Sequence, residues 1–260
     1  MDTRDIKETA DQAGDSAPVE WGARLGFVVS GVLHLLIAWI AFKVAWSSSR
    51  GSASQSGALA TLAHSPGGPL LLWVVFAGFA LLAIWQLAQV VRTGSLQDRL
   101  QAAGQTVVFL ALGWTAFKFA IGSPTSSDGR TKDFTASLIH HPGGRLAVAA
   151  IGLAVIVVGG YHVYKGWRKR FLEDLQEHPG NTLVQVARVG YVGKGVALFL
   201  VGILFLVAAV RNAPSKATGL DGGLRTLRDA PAGAWLLSAV AAGIAAYGVF
   251  ALARTRYART

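Results

Sequence analysis

Arg24-Leu-Gly-Phe-Val-Val-Ser-Gly-Val-Leu-His-Leu-Leu-Ile-Ala-Trp-Ile-Ala-Phe-Lys43 is an apolar run of 20 residues, the length that crosses a bilayer's hydrocarbon core as a helix. It recurs. Seventy-five residues on, Arg99-Leu100 opens a second run, with Trp114 where the first has Trp39 and the same Ala-Phe-Lys at its close (Lys118). A looser third copy starts 164 residues after the first: Ala187-Arg188-Val189-Gly190-Tyr191 echoes Ala23-Arg24-Leu25-Gly26-Phe27. Each copy is followed by a loop ending in a proline–glycine motif and then by another apolar run. The motif is Pro66-Gly67-Gly68, then Pro142-Gly143-Gly144 at an offset of 76, then Pro231-Ala232-Gly233 at 165.

The pattern predicts an all-α membrane protein with six transmembrane helices, over about 22–46, 64–92, 100–121, 145–164, 187–210 and 233–253. They form three two-helix repeats: 21–95, 96–170 and 184–256. Residues 1–20 form a polar, disordered tail, and residues 171–183 a charged cytoplasmic linker. An even number of spans per repeat makes the repeats parallel, with pseudo-threefold symmetry about an axis along the membrane normal. Helices are required because lipid offers no partner to unpaired backbone groups.

Composition agrees. Only 15% of the 260 residues are charged, against about 25% in soluble domains. The formal net charge is +10. In a membrane chain this places Lys and Arg at helix ends against anionic head groups rather than on nucleic acid. The zero cysteine count excludes disulfides, thiolate metal sites and cysteine nucleophiles. Fourteen of the 24 Lys and Arg fall on the side of the termini, with the tightest group at Lys165, Arg168, Lys169 and Arg170. The expected location is therefore the cell (inner) membrane, with both termini cytoplasmic.

The repeated pattern Ala-Arg-x-Gly-Tyr/Phe, a helix, Leu-x-x-Leu-x-x-x-Pro-x-Gly and a glycine-bearing helix resembles the DUF1206 family of bacterial membrane proteins, found widely in actinobacteria. The resemblance rests on Arg24, Gly26, Pro66 and Gly68; on Arg99, Pro142 and Gly144; and on Arg188, Gly190, Pro231 and Gly233. The second copy departs from it, with Gln101 for Gly26 and Gly190, and Thr106 for Gly31 and Gly195. The resemblance implies architecture and a bacterial membrane. It supplies no active site.

Candidate chemistry is sparse. His34 and His162 lie inside spans and have the residue type for axial haem ligation, but a role as lone polar residues bonded to a neighbouring backbone or serine outweighs it. His64, His140 and His141 stand at equivalent loop ends, where capping outweighs zinc binding. Gln86, Gln89 and Lys194 are polar in or near spans, and Gln86, Gln89 and His162 are expected to hydrogen-bond between helices rather than line a polar path. Glu173, Asp174 and Glu177 are read as one face of a solvated amphipathic helix. No Asp or Glu lies inside an expected span, which argues against an ion-coupled pump. The reading is a non-enzymatic scaffold or accessory component with no catalytic, metal or cofactor residues. Its partners are the lipid bilayer and a further membrane protein, not nucleic acid. The alternative is a passive channel or transporter with its pathway on the pseudo-threefold axis.

Overall fold

The computed structural model describes residues 17–47, 51–92 and 95–257. The tail expected over residues 1–20 lies outside them as far as residue 16. Six long helices form the body: α1 (Ala17–Trp46), α3 (Gly68–Arg92), α4 (Leu96–Ala120), α6 (Gly144–Trp167), α7 (Asn181–Val210) and α9 (Gly233–Tyr257). All six are long and apolar enough to cross a membrane. Three short helices stand between the members of each pair: α2 (Gln55–Ala63), α5 (Ser127–Ile139) and α8 (Leu220–Arg228).

Helix order in space follows the chain cyclically. Packing runs α4–α3–α1–α9–α7–α6. Each even span meets the odd span of the next repeat, and the last meets the first. Every packed pair is antiparallel: Gly31 meets Gly248, Gly26 meets Gly78, Gly195 meets Gly159 and Gly193 meets Gly243, while Phe79 stacks on Phe109. All odd spans therefore run the same way, and the three repeats have one polarity.

The ring is open at one place. The middle repeat's own spans, α4 and α6, do not pack on each other as α1 does on α3 and α7 on α9. The three repeats are thus not equivalent in packing, and the sequence states the reason. Gly26 and Gly190 let α1 and α7 approach their partners at backbone distance. Their counterpart on α4 is Gln101, and the counterpart of Gly78 and Gly243 on α6 is Ala154. Neither position is a glycine, so the close backbone approach of the other two repeats is not offered there.

On the face away from the termini, the short helices interlock. The Ala53 amide donates to Asp221 Oδ1 at 2.6 Å. The Ser127 amide donates to Ser56 Oγ at 3.1 Å. The amides of Gly219 and Gly222 face the Asp128 carboxylate. The starts of α2 and α5 are thus each served by a side chain of a neighbouring short helix, the Asp128 carboxylate stands beside Gly219 at the start of α8, and the three contacts run round a cycle. Arg225 pairs with Asp221 at 2.8 Å, and Arg130 Nη2 donates to Thr115 Oγ1 of α4 at 2.6 Å. Helix α5 also packs on α6, so it bridges the open side at this face.

Burial first, then the neighbouring Asp221, raises the Asp128 carboxyl above its usual value, against the pull of Lys132. The native state then holds this proton more tightly than the unfolded chain does. The contribution is present below the ordinary value of 3.8 and is lost as pH rises through the higher folded value. Asp128→Asn is expected to remove this loss. Thermal stability measured from about pH 4 to 7 should fall in the wild type relative to the variant; parallel profiles would contradict the assignment.

The proline–glycine turns share one geometry. The second glycine's amide returns to the carbonyl three residues back: Gly68 to Ser65 at 2.9 Å, Gly144 to His141 at 2.9 Å, Gly233 to Ala230 at 2.8 Å. The middle residue is left-handed, with φ of 74° at Gly67, 76° at Gly143 and 58° at Ala232. Alanine has a methyl group where that conformation leaves little room, a cost of about 1–2 kcal/mol. Ala232→Gly relieves it and returns part as chain entropy. We expect a net gain of about 0.5–1 kcal/mol, read as a higher midpoint in thermal unfolding.

Three stretches read as loop or surface turn out to be built in. Residues 58–62 belong to α2, whose Leu59 is 1% exposed. The loops before Pro142 and Pro231 contain α5 and α8. The charged segment after α6 is not a solvated amphipathic helix. It is a 3-10 turn at Arg170–Asp174 that drives Phe171, 0% exposed, against Tyr191 and Phe250.

Candidate functional site

Polar groups on four spans meet in the half of the bundle nearer the termini. On α1 the exposed stripe is Val28, Val32, Trp39 and Phe42; His34 lies off it. Its ring is 4.8 Å from that of Tyr247 on α9. The Lys194 ammonium of α7 sits 3.9 Å above the Tyr247 ring, a cation–π contact. Tyr191, one turn earlier on α7, packs edge-on to Tyr247 at 5.4 Å and lies 5.9 Å from His162 of α6. Tyr191 is buried, while His34, His162, Lys194 and Tyr247 each keep an accessible side.

A second tier lies closer to the terminal face. The Arg254 guanidinium stands 4.3 Å from the Phe27 ring centre, and Trp85 of α3 packs edge-on to the same ring at 6.0 Å. Lys165 lies over Tyr191 at 5.8 Å and donates to Asp174 Oδ2 at 2.7 Å. These contacts repeat. Phe27 and Tyr191 are counterparts at offset 164, and Lys165 and Arg254 at offset 89. Each cation comes from an even span and covers the aromatic ring of the next odd span. At the third such interface the pair is Gln89 and Ala102.

Several sequence candidates stay apart from this cluster. His64 Nδ1 lies 2.7 Å from Ala60 O and His141 Nδ1 2.9 Å from Ser137 O, each on its own short helix. Among the described residues no three His, Asp or Glu side chains gather as a metal site. His34 and His162 use Nδ1 on Ser30 O at 2.7 Å and Val158 O at 2.9 Å, the lone-polar role expected for them. Among the described residues Gln86 makes no interhelical bond of the kind expected of it, and its Oε1 is buried without a partner. The repeat-motif arginines mark helix ends on the terminal face. Arg24 lies over Trp21, Arg188 over Trp167, and Arg99 is exposed.

In sequence Tyr191 stands out only as part of the repeated motif and Arg254 only as one of the basic residues of the terminal side, and Tyr247 does not stand out at all. The legible signal was repeat alignment, which puts Lys165 and Arg254 at one position. What alignment could not show is that the odd helix of the following repeat supplies the ring beneath each cation. Two clefts lie elsewhere. One of about 800 Å³ opens beside Trp39, Lys43, His64 and Phe119 on the loop face. The other, about 370 Å³, is an apolar groove between α7 and α9.

Comparison with known proteins follows the same division into thirds. The family described as Domain of Unknown Function (DUF1206) matches residues 25–93, 100–169 and 189–258. The chain belongs to the DUF1206 family. The DUF1206 chain is 26% identical over 249 residues to "Uncharacterized protein YxxB" of Bacillus subtilis (strain 168), covering 90% of this chain and 89% of that one. No solved structure matches it. The matched segments each contain one odd and one even span, so family membership and helix packing cut the DUF1206 chain differently. The family unit is the hairpin, while the tightest helix contacts join successive hairpins.

Proposed function

We propose that this DUF1206 protein is a non-enzymatic membrane component, a scaffold or accessory to a partner complex, and not a conduit. The observation that supports this is the packing of the outer half of its interior. On α1, Ile37, Ala41 and Val44 continue the inward side of the helix beyond His34, and none is more than 1% exposed. They join one apolar core with Leu59, Leu224, Leu237 and Phe79. Leu59, Thr135 and Leu224 are counterparts in the three short helices, at offsets 76 and 165, and all are buried at 1% or less. A solute reaching His34 from the terminal face meets this layer. Part of the polar cluster is in use: both span histidines hold their own helix carbonyls, and Lys165 holds Asp174.

The reading is tested with purified protein in liposomes. Efflux of chloride, phosphate and protons should match protein-free vesicles. Flux several-fold above that background would instead favour the channel alternative, which draws on the polar cluster.

We also propose a cytoplasmic-membrane location with both termini inside, supported by Lys165, Arg168, Lys169 and Arg170 on the terminal face. The natural chain has no cysteine, so single-cysteine labelling is clean. His141→Cys should react with an impermeant maleimide in intact cells and Arg170→Cys only after lysis. The reverse pattern would invert the topology.

A further inference from the structure

We propose that the Lys194–Arg254 cluster is a binding site for the anionic head group of a phospholipid from the leaflet on the terminal face. The first argument is charge. Lys165, Lys194 and Arg254 all lie within Coulombic range of the Tyr247 hydroxyl. Among the described residues the one carboxylate bonded to any of them is Asp174, held by Lys165. Lys194 and Arg254 meet no acid among the described residues, and cations at membrane depth are costly without a counter-charge. A bound anion supplies one.

The second argument is unused donors. Arg254 Nε and Trp85 Nε1 are both buried without a hydrogen-bond partner, and both groups gather around the Phe27 ring. Buried donors without acceptors are few in folded proteins. A phosphate entering beside Phe27, with a shift of the packing that closes these two atoms, would find both donors free, and Lys194 and Arg254 share the Tyr247 hydroxyl as a neighbour.

The third argument is access, and it selects a lipid over a free anion. Arg254 sits one turn from the end of α9, the depth of a head group. Within the spans no described element packs between α4 and α6. The two helices bordering that gap expose Leu100, Val107 and Val108 on one side and Val157 and Val158 on the other. Acyl chains gain from such a lining, whereas inorganic phosphate does not. The packed outer half gives the site one entrance and no exit to the far side.

The test uses the full chain in zwitterionic micelles, with tryptophan fluorescence and native mass spectrometry as readouts. Phosphatidylglycerol should bind at least tenfold more tightly than phosphatidylcholine. Lys194→Met with Arg254→Gln should reduce that preference below twofold, while Arg254→Lys, which keeps the charge and guards against misfolding, should retain most of it. Equal preference in wild type and double variant would overturn the site. So would loss of preference in a folded Arg254→Lys protein that matches the loss in the double variant. Inorganic phosphate competing as well as the lipid would overturn the lipid assignment and leave a free-anion site.

Discussion

Gly144→Ala is expected to abolish the folded protein, and Gly143→Ala is not, although the two glycines are neighbours in the same turn. A methyl group at residue 144 would overlap the Leu138 carbonyl and touch Ile139. Both belong to the last turn of α5, which is fixed by the cycle of caps on the loop face. The helix cannot retreat without breaking the Arg130–Thr115 bond and the Ser127–Ser56 bond. Overpacking of this kind costs about 1–3 kcal/mol even where neighbours can shift, and here the obstruction is backbone. At Gly143 nothing stands within 4 Å of an added methyl group. The penalty there is the left-handed backbone alone, about 1–2 kcal/mol. Size-exclusion profiles of the detergent-extracted variants separate the two cases: Gly144→Ala aggregates, and Gly143→Ala elutes as wild type with a lower unfolding midpoint. The same loss is expected for Gly68→Ala and Gly233→Ala, whose added methyl groups meet Ala63 and Leu62 or Arg228 and Leu227 carbonyls. A normally folded Gly144→Ala protein would show that the turn is looser than these contacts require.

These turns also show how far sequence carried the fold. Long apolar runs fixed the six spans, because length and hydropathy are local properties. Tripling of the motif fixed their polarity, because two spans per unit leave no other outcome. The short helices were harder. Leu59, Thr135 and Leu224 share one position, but a stretch of nine to thirteen residues with few large apolar side chains reads as loop until something is known to cover it. Helix ends were displaced for a related reason. Helix α7 begins at Asn181 rather than near 187, since Val184 and Ala187 are buried against Phe171, a contact between segments that hydropathy cannot foresee. The candidate site was least legible of all. His34, His162 and Lys194 were visible as polar residues in apolar runs. Their meeting depends on α9 closing against α1 and α7, and their partners Tyr191 and Tyr247 look in sequence like ordinary interface aromatics. The opening between α4 and α6 was half-written in the departure at Gln101, whereas Thr106 stands at the position that faces the preceding repeat. Reading it as an opening required knowing which neighbour each small residue faces. Gly26 and its counterpart Gly190 turn to their own repeat, while Gly31 and its counterpart Gly195 turn to the preceding or closing one.

Gly159→Leu should release α6 from the bundle, while Gly160→Leu should leave it in place. Helix α6 has one span neighbour, α7. The contact is a row of glycines seven residues apart: Gly152 meets Gly202, Gly159 meets Gly195, and Gly166 meets Arg188 and Tyr191. Seven residues is two turns, so the row stays on one side and the backbones touch along its length. A leucine at 159 would enter the space of the Gly195 carbonyl and the Phe199 amide, forcing the helices apart where no other span holds α6. At 160 nothing lies within 4 Å, and a leucine there adds lipid-facing surface. Separation carries His162 away from Tyr191 and Lys165 away from its place over the same ring, so the polar cluster should lose one wall. A cysteine pair at 162 and 191, whose native rings face each other across α6 and α7 at 5.9 Å, puts small side chains in place of large ones, leaves the glycine row intact and, in a chain with no natural cysteine, reports the outcome. Oxidative cross-linking should be fast in the wild type and in Gly160→Leu, and slowed at least about tenfold in Gly159→Leu, the effect of raising the docked state by about 1.4 kcal/mol. Equal cross-linking in all three would mean that α6 is held by something other than this row. The turn of residues 170–174, which ties the end of α6 to Phe250 through Phe171, would then be the retaining element.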